Sequence, residues 1–343
     1  MGECPQFGAG IPWHGEHRNE DTTSARTPPD PLTSHLMPAQ NHLSLSYDRG
    51  LHGFTVFTAG CTFMLIIAGA LVTGNDAGLS VPDWPLSFGS LMPPMIGGIV
   101  YEHSHRMVAS FVGLLTIILA LWLWRREPRK PVRRLGWFAL GAVVTQGILG
   151  GITVLYFLPA PVSVMHACLA QAFFCMVSAL ALVTSSSWKQ LRCPISSELK
   201  GTSMRQLCAL TTGTVYLQLI LGAMLRHSQS GLLLHVAGAF LVTFFVAWIT
   251  VRIFKYYAHI PWLFRSAMIL GILLAAQLSL GIGSYLVRLA SRDDVQPGVF
   301  MVTVTTAHVA MGALVLVRSL ILTIQCYRLL SPLLGSTSQE VTA

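Results

Sequence analysis

An all-α, polytopic membrane protein is the fold class this sequence predicts, with eight transmembrane helices in two pseudo-symmetric four-helix bundles. Three observations carry that expectation. Of 343 residues, 53% are hydrophobic and 10% charged, where a soluble domain carries about 25% charged residues. A soluble chain of this size cannot clothe its surface so sparsely, whereas lipid requires no polar shell and makes lone charges costly. The mean hydropathy is +0.60. The residues free of Asp, Glu, Lys and Arg are gathered into 50–75, 107–124, 135–188, 206–225, 227–251, 266–287 and 295–317. All but one are near the roughly 20 residues that cross a bilayer. The exception, 135–188, is broken by Pro159 and Pro161 and reads as two helices joined by a tight turn, so the count is eight.

In chain order, residues 1–50 are rich in Pro, Ser, Thr, His and Asn without apolar periodicity and are expected to be a disordered cytoplasmic tail. Its acidic residues Glu3, Glu16, Glu20, Asp21 and Asp30 argue against a mitochondrial transit peptide, and Met37 is a second candidate start. A four-helix unit over 51–188 follows, then a linker, 189–205, a second four-helix unit over 206–328 and a cytoplasmic tail, 329–343. Basic residues collect after the second span (Arg125, Arg126, Arg129, Lys130, Arg133, Arg134), the fourth (Lys189, Arg192, Lys200, Arg205) and the sixth (Arg252, Lys255, Arg265). The opposite links hold only Arg226, Arg288 and Arg292, the last beside Asp293 and Asp294. The positive-inside rule therefore makes both termini cytoplasmic, in a bacterial cell (inner) membrane. The net charge of +8 is anchoring charge in the links and calls for no nucleic acid. Seven cysteines include no Cys-x-x-Cys pair, so spacing indicates neither a zinc site nor a disulfide framework.

The outward helices end alike: Gln146-Gly-Ile-Leu-Gly150, Gln218-Leu-Ile-Leu-Gly222 and Gln277-Leu-Ser-Leu-Gly281, with a weaker Ile66-Ile-Ala-Gly69 in the first. Each is followed by an inward helix with a histidine near its outer end, which reads as a tandem duplication related by an axis along the membrane normal. Small residues that merely permit close helix packing are the plainer alternative. The histidines are His105, His166, His235 and His308, on the second, fourth, sixth and eighth spans. One intramembrane histidine is commonly a packed, hydrogen-bonded residue, but four at matched depth on alternate helices suit heme iron, which facing helices of a bundle hold through imidazole. They pair as His105 with His166 and His235 with His308. His103 points to a different face of its helix from His105. His227, in a short link, His259, and the tail histidines His14, His17, His35, His42 and His52 are expected to be solvated.

Glu102 separates the two units. In Glu102-His-Ser-His-Arg106 the carboxylate and the His105 imidazole share one helix face, and Arg106 follows. An ion pair at the helix end explains this plainly. A carboxylate that moves protons or stabilises positive charge beside a heme explains it with chemistry. Since only the first unit has it, the first site is expected to take a substrate heme and the second a permanent cofactor.

These residues resemble the heme A synthase family, the membrane enzymes that convert heme O to heme A for terminal oxidases. The resemblance rests on Ala77-Gly-Leu-Ser-Val-Pro-Asp-Trp-Pro85, Pro93-Pro-Met, Glu102-His-Ser-His-Arg106 and the ordered later histidines, and it covers 51 to about 325. It implies that His105 and His166 are substrate-site histidines, that His235 and His308 ligate heme b, and that Glu102 is the acidic catalytic residue. The implied reaction oxidises the C8 methyl of heme O by successive hydroxylations, and loss of water from the geminal diol leaves a formyl group, with electrons leaving through heme b. Candidate partners are a heme O synthase, a terminal oxidase under assembly and a second copy of the chain. Two departures stand out. Thr73 occupies a position where many members carry an arginine, and the first outer loop has Ser87 but no cysteine pair, since Cys61, Cys168, Cys175, Cys208 and Cys326 lie within spans. Arg226 is a candidate propionate partner of the second unit, or a snorkelling helix-end arginine. The long loop 75–98 is expected to be a lid in which Asp83 and Trp84 orient the polar edge of the heme, or fasten the loop to itself. The alternatives to the enzyme are a diheme b-type cytochrome that only carries electrons, and a transporter, which the lack of paired Gly/Pro breaks at mid-depth disfavours.

Overall fold

Each predicted span is a helix: α1 (Arg49–Gly74), α2 (Gly98–Arg126), α3 (Lys130–Leu155), α4 (Ala160–Thr184), α5 (Met204–Ser228), α6 (Leu232–Tyr256), α7 (Pro261–Ala290) and α8 (Val299–Leu329). The computed structural model describes residues 48–190, 196–197 and 202–331. The expected N-terminal tail with Met37, most of the 189–205 linker and the tail from 332 lie outside the described residues. All eight helices are long and apolar enough to cross a membrane, which makes the chain a multi-pass membrane protein. Beside them stand a short helical segment, Ser186–Gln190, and a parallel two-residue pairing of β1 (Ser196–Ser197) with β2 (Leu330–Ser331).

Local chemistry explains the helix ends. Asp48 accepts the Leu51 N–H at 3.0 Å and caps α1, and Ser203 accepts the Gln206 N–H at 3.3 Å and caps α5. Proline stands in the first turn of α3, α4 and α7, where its missing N–H costs nothing. Between α3 and α4 the chain reverses through Phe157 and Leu158, both at positive φ, before Pro159. Two boundaries depart most from the charge gaps. The last gap ends at 317, but α8 continues through Arg318 to Leu329. The second gap begins at 107, but α2 begins at Gly98, because Glu102 and Arg106 neutralise each other one turn apart and so can enter the helix.

Helix packing forms two rings, α1–α2–α3–α4 and α5–α6–α7–α8, joined where α1 and α4 meet α8 and α4 meets α5. One core lies in the first ring (Leu51, Val112, Leu119, Leu123, Ala139, Phe173, Leu180) and a larger one in the second (Met204, Val215, Val246, Ile249, Leu270, Leu316, Leu322). A third, smaller cluster of Ile66, Phe174, Ala313 and Val317 fills the seam. The outward faces carry residues such as Phe138, Phe240 and Ile272, all exposed, as lipid contact requires. Hydroxyls cross-link the second ring: Thr212 Oγ1 meets the buried Ser319 Oγ at 2.6 Å and Thr323 Oγ1 at 2.8 Å.

Candidate functional site

The segment 75–97 marks one end of the bundle, and at that end α2, α4, α6 and α8 begin. Each of the four carries one predicted histidine in its first three turns, and each histidine is seated in the same way. A Cβ on Gly69 would stand 3.1 Å from His105 Cε1, on Gly150 3.3 Å from His166 Cε1, on Gly222 3.0 Å from His235 Cε1, and on Gly281 3.1 Å from His308 Cε1. The recurring glycine therefore lets an imidazole lie against the backbone of the preceding helix. The recurring glutamine, one turn earlier, fixes that contact. Gln146 Nε2 donates to the His166 carbonyl at 2.8 Å, and Gln218 Nε2 donates to the His235 carbonyl at 2.7 Å. Gln277 Nε2 lies 3.4 Å from His308 Nε2. In α1 the corresponding position is Leu65, so His105 has the glycine seat without the amide.

Do these residues fit a heme? The His235 and His308 rings are 6.4 Å apart, centre to centre, with their planes 78° apart. A metal–imidazole bond of about 2 Å on each side, plus about 1 Å from ring nitrogen to ring centre, puts two imidazoles on one metal about 6 Å apart. The buried Nδ1 atoms of His105, His166 and His308 have no hydrogen-bond partner among the described residues. His105 and His166 lie within electrostatic reach of each other. No group of three or more His, Cys, Asp or Glu side chains converges among the described residues. Two imidazoles facing each other suit a metal whose other positions a porphyrin fills.

The first pair has an added structure. Glu102, 4% exposed, accepts the Val81 N–H at 2.9 Å through Oε2 and the Arg106 guanidinium at 2.5 Å through Oε1. Arg106 also donates to the carbonyls of Asp83 (2.6 Å), Leu86 (2.7 Å) and Val81 (3.0 Å). One buried turn of α2 thus holds four points of the loop. Asp83 fastens the loop to itself, since its carboxylate accepts the Phe88 N–H at 2.7 Å and the Gly89 N–H at 2.8 Å. Those two backbone donors hold its carboxyl below the usual carboxylate range. Trp84 reaches α3, where a Cβ on Gly151 would meet its indole at 2.8 Å, beside the Gly150 seat of His166.

Sequence reasoning missed His103. It is buried, and its Nδ1 lies 2.9 Å from Ser87 Oγ, adding another loop anchor. A polar residue in the second turn of a helix beneath a long loop was the available signal. His227, expected in a solvated link, instead occupies the last turn of α5 and is half-buried, because α5 continues to the left-handed Gln229. His52 is also half-buried, with Nδ1 3.1 Å from Thr184 Oγ1, whereas His259 is exposed as expected. Arg226 donates to the Ala70 carbonyl at 3.0 Å, from α5 to α1.

Residues 98–237 match a family model, COX15-CtaA, described as cytochrome oxidase assembly protein. That stretch contains Glu102, His105, His166, Arg226 and His235. The chain is 30% identical over 190 residues to a curated protein of Shouchella clausii named heme A synthase, covering 54% of this chain and 62% of that one. A protein of the same name from Lysinibacillus sphaericus is 27% identical over 192 residues, covering 55% and 62%, and one from Halalkalibacterium halodurans is 34% identical over 140 residues, covering 40% and 44%. The matched part spans at most about three fifths of the length of these relatives. Over part of its length the chain is thus similar both to a cytochrome oxidase assembly family and to proteins named heme A synthase.

Proposed function

We propose that this chain is a heme A synthase, which oxidises the C8 methyl of heme O to a formyl group by two hydroxylations and loss of water. The observation that carries the reading is the contrast between two alike histidine pairs, one of which alone has an anchored loop and a buried carboxylate. In this reading His105 and His166 hold heme O as substrate, and His235 and His308 hold heme b. When bound, heme b supplies one-electron redox chemistry, which a methyl oxidation needs and a protein side chain cannot provide. The protein's own part is positioning and charge. The glycine seats and glutamine amides fix the imidazoles, and the loop held by Arg106 keeps water from the first pair. Glu102 keeps a negative charge one turn from His105. The family resemblance supports the same assignment residue by residue. It also supports tandem units over 51–188 and 206–328, both termini on the cytoplasmic side of a bacterial inner membrane, and work alongside a heme O synthase and oxidase assembly.

Glu102 separates the enzyme from a diheme b-type electron carrier. Co-expression with a heme O synthase, then extraction and mass analysis of the hemes, should yield heme A or its hydroxylated precursor from the unaltered protein. Glu102→Gln keeps an acceptor for the Val81 N–H but removes the charge, so product should fall at least a hundredfold while bound heme b stays. Product from Glu102→Gln but not from Glu102→Ala would make Glu102 a loop anchor only. Recovery of nothing but unmodified heme b from the unaltered protein would establish the carrier instead.

A further inference from the structure

The segment 75–97 turns its polar groups inward and its apolar side chains outward. Its charged residues are Asp76 and Asp83, and 86–97 carries none. Leu91, Met92 and Ile96 are 73%, 76% and 68% exposed, and Leu86, Phe88 and Met95 are exposed beside them. A continuous apolar patch of this kind on a loop marks a contact surface. The backbone of the same stretch satisfies its donors from within. Asp83 takes the N–H groups of Phe88 and Gly89, and Ser87 and Ser90 exchange N–H···O bonds at 3.1 and 3.0 Å. Ser90 Oγ accepts the Met92 N–H at 3.1 Å, and the Ile96 N–H reaches the Pro94 carbonyl at 3.1 Å. Pro93 and Pro94 have no N–H to satisfy. Within 87–96, only Leu91 and Met95 keep an N–H without an acceptor among the described residues. Ser87 Oγ and the Leu86 carbonyl are turned to His103 and Arg106 of α2. Water supplies such bonds to an ordinary loop, whereas a segment that meets lipid must make them itself. The apolar surface also continues down the helix that follows. Ile96 leads to Val100, Met107, Phe111, Leu114 and Ile118, exposed residues at helical spacing along one face of the membrane-spanning α2. The link from Ser291 to Gly298, at the same end of the bundle, is built the other way, with Arg292, Asp293 and Asp294 around a fully exposed Val295.

We propose that 86–96 is seated in the boundary between the headgroups and the acyl chains of the bilayer, with phospholipid as its partner. The occupant is lipid because the patch is continuous with the lipid-facing side of α2 and carries no charge with which to select a protein. The anchors on α2 then have a second use. By drawing Leu86 O, Ser87 Oγ and the Asp83 carbonyl toward the helix, they leave only apolar groups to face outward. The loop over the first histidine pair is thus bordered by lipid on its outer side. On the heme reading above, a substrate dissolved in the bilayer reaches that pair without crossing an aqueous layer, while the seating itself does not depend on that reading.

The test places the full chain in lipid nanodiscs of phosphatidylcholine and phosphatidylglycerol, with an environment-sensitive fluorescent amino acid replacing Met92 in one variant and Val295 in another. Quenching is measured with aqueous iodide and, separately, with a phospholipid that carries a nitroxide at the top of its acyl chain. An element buried about 5–10 Å into the boundary should make the Met92 probe about threefold less sensitive to iodide than the Val295 probe, and about threefold more sensitive to the nitroxide lipid. Iodide access like that of Val295 overturns the proposal and makes 86–96 a solvated loop. Protection from both quenchers overturns it as well, since protein then covers the patch. If the Met92 variant is not recovered folded, the same probe at Leu91 decides by the same two comparisons. None of these results bears on the heme reading, which the extracted hemes decide.

Discussion

Around His235 and His308 the connections at the histidine end are short, running from Gln229 to Gly231 between α5 and α6 and from Ser291 to Gly298 between α7 and α8. Around His105 and His166 the chain instead inserts 75–97 and spends Glu102, His103 and Arg106 on holding it. The glycine seats are common to both pairs, so ring placement alone cannot account for that investment. Buried charges in a membrane protein are costly unless paired. An anchored loop at one pair only is what the proposed division expects, with a substrate at the first pair that must be kept from water and a resident group at the second.

The sharpest way to break this comparison is to remove one histidine from each pair. His235→Ala should abolish nearly all heme b bound by the purified protein, measured by the reduced absorption spectrum, while His166→Ala should leave most of it. The opposite ranking would exchange the roles of the two pairs. Next in size is Arg106→Gln, which strands Glu102 as a buried unpaired charge and frees three loop carbonyls. Breaking such a pair costs about 3–5 kcal/mol. It should open 75–97 to protease while heme b at the second pair is unchanged, and a resistant loop would show that Arg106 is not its clamp. The smallest expected effect is that of Asp83. Its folded carboxyl titrates below the unfolded value of about 3.9, so its anchoring is fully present above that pH and fades as pH falls through the lower folded value. Comparison with Asp83→Asn should show loop protection converging as the solution is acidified. A gap that widens on acidification would contradict this assignment.

Much of this architecture is legible in the chain. Charge gaps locate all eight helices, because a membrane penalises each unpaired charge at the point where it occurs in the sequence. The Gln-x-x-x-Gly repeat and the later histidine are visible as a pattern, yet their meaning is tertiary: Gln146 reaches His166 and Gly150 seats the same ring. Glu102 and Arg106 are conspicuous in a chain with so few charges, but their i,i+4 spacing announces only the ion pair. The loop carbonyls that Arg106 holds are 20 to 25 residues away. His103 reads as a bystander because Ser87, its partner across the loop, carries no pattern of its own.

The sequence by itself determined the membrane class, the eight spans, and four histidines at one depth, since hydrophobicity and helical spacing act over a few residues at a time. Which groups meet was decided by tertiary structure. Arg226 bonds Ala70 across 156 residues of chain, and the 6.4 Å approach of His235 to His308 depends on glycines in two other helices. Hydrogen-bond partners and ring contacts are set by how helices are arranged around one another, and no local periodicity encodes that arrangement.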